Sequence, residues 1–127
     1  MRTLLVSLWL LVLSSAASAC SCFPPELRLK TAQDALQSAR VAVYGKVVDV
    51  DAGGKARVLV LESFKGPAPG AVIEMQADTG KCGAPSSTVG EEALVLSFDN
   101  AVTDCNKHPP GHYLLESFRE IATRAKP

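Results

Sequence analysis

The sequence predicts a mainly β domain: five short strands closed into a small barrel, with a short helix at each end. Three observations lead there. Five runs rich in β-branched, aromatic and other apolar residues follow one another between residues 40 and 105, bounded by glycine, proline or small polar residues. Two stretches outside that span carry apolar residues at helical spacing. Removing residues 1–19, which read as a leader, from the 127 leaves 108, enough for one domain with a modest core.

Taken in order, the chain opens with one positive charge, Arg2, an apolar run from Leu4 to Leu13, and Ala17-Ser18-Ala19 before Cys20. That is the pattern of a cleaved export signal over 1–19, and the run is too short to span a bilayer. The mature domain, 20–127, is expected in a secreted, periplasmic or extracellular setting. Residues 20–25 contain Pro24 and Pro25 and cannot be helical, because proline disfavours the α region in its predecessor. Leu29, Ala32, Leu36 and Ala39 form a helical stripe. From 40 to 51 the period changes: Val41, Val43, Tyr44 and Val47 read as a strand with a bulge or bend at Gly45. Ala52-Gly53-Gly54 is a hairpin turn, since glycine supplies positive φ. A second strand covers 57–64 and stops at Lys65-Gly66-Pro67; a third covers 71–77. After a loop containing Cys82 come a fourth strand, 92–98, and a short fifth, 101–105. Pro109-Pro110-Gly111 breaks the chain, and 113–126 is helical, with Leu114, Phe118, Ile121 and Ala125 on one face. An OB-type barrel is the first expectation and an open α+β sandwich the second.

Charge and motifs exclude several functions. The chain has 13 basic and 13 acidic residues; losing Arg2 leaves 12 against 13, a net charge of −1. That offers no electrostatic case for nucleic acid or anionic lipid. Single-stranded nucleic acid would also need aromatics in a basic groove, and the mature chain has few. Metalloprotease, nucleophile-elbow, phosphate-loop and C-x-x-C motifs are all missing, so no enzyme is predicted. Glu91-Glu92 and Asp49/Asp51 read as solvated charge. Cys105, His108 and His112, with Cys20 and Cys22, have the residue types that zinc or copper favours. Exported thiols usually end as disulfides, and the histidines flank a Pro-Pro-Gly turn, so no metal or cofactor of its own is expected.

All four cysteines, Cys20, Cys22, Cys82 and Cys105, fall after the leader, which reads as two disulfides. A Cys20–Cys22 bond would be strained, because residues two apart lie at the limit of disulfide geometry. The two other pairings remain open on spacing. Cleavage after Ala19 gives Cys20 a free α-amine, whose pKa of about 7.7–8.0 leaves a fraction neutral at pH 7. That amine and the Cys20 carbonyl can close a five-membered chelate on a metal with an open position, as catalytic zinc has. A disulfide and Pro24-Pro25 would hold the segment still.

Here the chain resembles the tissue inhibitors of metalloproteinases and the wider netrin-like module. Cys20-Ser21-Cys22-Phe23-Pro24-Pro25 is similar to the start of the mature inhibitors, C-[ST]-C-x-P. Val41-Ala42-Val43-Tyr44-Gly45-Lys46-Val47, Phe64-Lys65-Gly66, Cys82-Gly83, Gly90-Glu91-Glu92-Ala93-Leu94-Val95 and Thr103-Asp104-Cys105 follow in family order. The resemblance implies an OB-type barrel with disulfides Cys20–Cys82 and Cys22–Cys105. It implies a partner class, a zinc metalloendopeptidase, whose zinc Cys20 chelates. Ser21 would enter the pocket beside the metal, Cys22, Phe23 and Pro24 would lie along the cleft, and Thr79, Gly80 and Lys81 would flank this wedge. The family's third cysteine pair and the animal inhibitors' C-terminal domain are absent, as in short bacterial-type members. The protein is expected to be a monomer.

Two other expectations stand beside inhibition. The same barrel can serve as a cell-envelope binding or structural module, with the Cys-x-Cys end only a staple. Ala17-Ser18-Ala19-Cys20 also fits a relaxed lipobox, and lipid on Cys20 would tether the protein to a membrane. A thioether there removes the sulfur from any disulfide, and N-acylation removes the chelating amine.

Overall fold

The structure, a computed structural model, describes residues 31–77 and 87–126. The described chain starts on a helix cap: the Thr31 hydroxyl accepts the Asp34 N–H at 3.2 Å, satisfying a donor that the first turn leaves unpaired. Helix α1, Ala32–Ser38, is two turns long, too short to persist alone. Ala35 and Ala39, both buried, seat it on the sheet.

Strands β1, Val41–Val50, and β2, Ala56–Lys65, form the long antiparallel hairpin the sequence predicts. Asp51 closes its turn, its Oδ1 accepting the Gly53 and Lys55 N–H groups at 2.9 Å, while Gly54 takes φ +84°. The predicted bend at Gly45 is a register shift between Tyr44 and Gly45. A Cβ there would lie 2.5 Å from Val58 Cγ1 and 2.7 Å from the Leu59 carbonyl oxygen, so only glycine fits.

Strand β3, Val72–Met75, pairs with β2, and β4, Glu92–Ser97, pairs with β1. The fifth strand is displaced from its expected place at 101–105: β5 is Lys107–His108, paired with β4. The reason is local. After β4 the Ser97 hydroxyl lies 3.0 Å from the Asp99 carbonyl and 2.8 Å from that of Ala101, and Asp99 Oδ1 accepts the Ala101 N–H at 3.0 Å. These bonds curl 98–101 into a turn, and a 3₁₀ turn at Asp104–Asn106 precedes β5. Helix α2, Tyr113–Ala125, buries Leu114, Leu115 and Phe118, while Ala125, expected inside, is exposed.

Among the described residues the result is one open antiparallel sheet of order β3-β2-β1-β4-β5 with two α-helices. Closure into a barrel, the first expectation, is not present in this ladder. The two edges nevertheless meet at one isolated parallel bridge, Gln76↔Thr103. There the Gln76 N–H donates to the Val102 carbonyl at 2.8 Å, and the Asp104 N–H donates to the Gln76 carbonyl at 3.1 Å. In a flat sheet β3 and β5 would stand about 19 Å apart, four strand spacings, so the sheet is strongly curled. One core lies against the helices (Tyr44, Leu94, Leu96, Leu115, Phe118) and the other inside the curl (Val43, Val47, Val58, Val60, Met75, Val95). Among the described residues no helix is long and apolar enough to cross a membrane.

Candidate functional site

Most of the site predicted from the sequence lies outside the described residues: Cys20, Ser21, Cys22, Phe23 and Pro24 at the N-terminal end, and Thr79, Gly80, Lys81 and Cys82 in 78–86. Cys105 is described for its backbone, in the 3₁₀ turn between Thr103 and Lys107. What the structure supplies is the frame that holds the ends of 78–86.

Both of those ends rest on the segment that carries Cys105. The outgoing end is held by the bonds that Gln76 makes with Val102 and Asp104. The returning end is held by a side chain: Lys107 Nζ lies 3.0 Å from Glu91 Oε1 and 3.4 Å from Ser87 Oγ. Glu91 Oε2 in turn accepts the Thr88 N–H at 3.1 Å, and Ser87 itself is buried. A cation withdrawn from water is stable only when partners meet it, and these two do. Lys107 escaped the sequence reading because its neighbours Asn106 and His108 are polar and give no sign of burial.

Of the acidic residues read as solvated charge, Asp49, Asp51 and Glu92 are exposed, and Glu91 is half-buried. Glu91 is bound to Lys107, Glu92 Oε2 accepts from the Tyr44 hydroxyl at 2.9 Å, and Asp51 closes the hairpin. Burial, and after it the hydrogen bond to Glu92, pushes the Tyr44 phenol up from its ordinary value. The Arg119 guanidinium lies 5.4 Å from the centre of the Tyr44 ring and grips both oxygens of Glu62, which with its other hydrogen bonds raises its pKa further. This cluster ties α2 to β1, β2 and β4.

His108 and His112 come together, but as a stack, with ring centres 4.3 Å apart and planes 26° from parallel. Nitrogen lone pairs lie in the ring plane, so stacked imidazoles do not aim at one point between them. His112 is also the N-cap of α2, its Nδ1 accepting the Leu114 N–H at 3.3 Å. Among the described residues no group of three or more histidine, cysteine, aspartate or glutamate side chains could hold a metal ion. No family model, curated protein or solved structure matches the chain.

Proposed function

We propose that the mature protein is a secreted inhibitor of zinc metalloendopeptidases, whose N-terminal Cys20 chelates the target's zinc through its amine and carbonyl. The observation that carries this reading is Cys20-Ser21-Cys22-Phe23-Pro24-Pro25 directly after an Ala17-Ser18-Ala19 processing signal. Cleavage there makes the chelating amine, the two cysteines give it tethers, and the prolines limit its motion.

The described frame supports the reading in two ways. Its strand order, with β3 meeting the approach to β5 in parallel, suits a partly open five-stranded barrel of the OB type. The segment containing Cys82 leaves and returns on the backbone that carries Cys105, which suits disulfides from two cysteines only two residues apart, Cys20–Cys82 and Cys22–Cys105. On this reading Ser21 fills the pocket beside the metal, and Thr79, Gly80 and Lys81 flank the wedge.

One added alanine before the mature Cys20 tests the mechanism. It turns the amine into an amide, which is no zinc ligand, and leaves the fold alone; inhibition should fall at least about 100-fold, roughly 2.8 kcal/mol. Equal inhibition by the extended form rules the chelate out. The proton supplies a second test. Metal and proton compete for the same nitrogen, so affinity should fall by about tenfold per pH unit below the amine's pKa of about 7.7–8.0. An inhibition constant flat from about pH 6 to 8, after correction for the enzyme's own titration, counts against the mechanism.

A further inference from the structure

Lys107 is the least exposed cation in the ion pairs of the described residues. Only 5% of its side chain is accessible, against 38% for Arg119 and 40% for Lys55. Its two partners, Glu91 and Ser87, lie together on the chain returning from 78–86, while its own backbone is paired with Val95 of β4. One ammonium therefore gathers the stretch 87–91. The rest of that stretch is fixed by backbone bonds: the Gly90 N–H donates to the Val47 carbonyl, and the Val47 N–H to that of Glu91, both at 2.8 Å.

We propose that Lys107 is a positioning residue, a clasp that holds the returning chain at Ser87 and Thr88 against β5, opposite the backbone tie at Gln76. Resting on the inhibitor reading, the clasp fixes Ser87 and Thr88, the first described residues after the segment assigned to the flank. The arrangement has a built-in asymmetry. Replacing Lys107 with methionine removes the charge and keeps the apolar stem, while Glu91, with 31% of its side chain accessible, turns to water. Replacing Glu91 with glutamine instead strands a buried cation. Glu91→Gln should therefore lower the denaturation midpoint more than Lys107→Met, and the double variant should return towards Lys107→Met.

Amide hydrogen exchange on the mature chain tests the clasp directly. The Thr88 amide donates to the Glu91 carboxylate and reports its position. In Lys107→Met the Thr88 amide should exchange at least about tenfold faster, while Leu94 and Val95 of β4 keep their protection. Unchanged exchange at Thr88, or equal acceleration through Leu94 and Val95, overturns the proposal. The alanine-extended chain separates the two readings. It should lose inhibition and keep slow exchange at Thr88, whereas Lys107→Met should keep the chelating end and dissociate from the protease faster. If no form inhibits, the inhibitor reading falls and exchange at Thr88 still decides the clasp.

Discussion

On one face of the sheet Tyr44, Leu94 and Leu96 are covered by α1 and α2; on the other, Val43, Val47, Val58 and Val60 are covered by the curl of the sheet itself. The helical face relies on a few large side chains, above all Phe118, whose ring lies 5.6 Å from that of Phe64. The curled face relies on small, branched side chains and on backbone that bends where it must. The two faces should therefore fail in different ways: the first when an anchor is lost, the second when a bend is blocked.

Phe118→Ala is the largest expected effect. The ring is fully buried, so the change removes its transfer free energy and leaves a cavity under α2, about 3–5 kcal/mol by urea denaturation. Hydrogen exchange sharpens the comparison. The α2 amides should open well before those of β1 and β2 around Val47 and Val58, because the curled core contains no residue from α2. Loss of protection to the same degree on both faces would show that the two cores form one unit.

Gly45→Ala attacks the other face and comes next, at about 1–3 kcal/mol. The added methyl collides with Val58 Cγ1, which can turn, and with the Leu59 carbonyl oxygen, which belongs to the strand ladder. The cost should therefore persist when Val58 is trimmed to alanine. A Gly45→Ala protein within about 0.5 kcal/mol of the parent would mean that the hairpin bends without help from this position.

The same contrast explains what could be read from the residues. The β1–β2 hairpin, the bend at Gly45 and α2 were legible because their signals are local: alternation, a glycine pair, a stripe at helical spacing. The fifth strand was not, because its place depends on Ser97 and Asp99 using hydrogen bonds to turn the chain, which leaves only Lys107 and His108 to pair with β4. The bridge from Gln76 to Thr103 joins residues far apart in sequence and has no local mark. Of the candidate site, the proposed chelating end rests on a hexapeptide outside the described residues. The Lys107 clasp was invisible, since nothing near a lysine in a polar run tells of a carboxylate waiting sixteen residues earlier.

The smallest effect is expected where α2 meets the sheet. Tyr44→Phe keeps the ring beneath Arg119 and removes one hydrogen bond to Glu92, about 1 kcal/mol at neutral pH. Its pH dependence is the sharper test. The fold favours the neutral phenol, through burial first and Glu92 second, so the folded pKa lies above the ordinary value of 10.0. Below that value both folded and unfolded chains hold the proton, and the contribution of Tyr44 is fully present. Above it the unfolded chain releases a proton that the folded chain still holds, and stability falls as pH rises towards the folded pKa. The advantage of the parent over Tyr44→Phe should thus stay constant up to about pH 10 and shrink beyond it, in paired urea denaturations. An advantage that holds steady above that point would mean that the phenol is not kept neutral by the fold, and that the helix is fastened there by Arg119 and Glu62 alone.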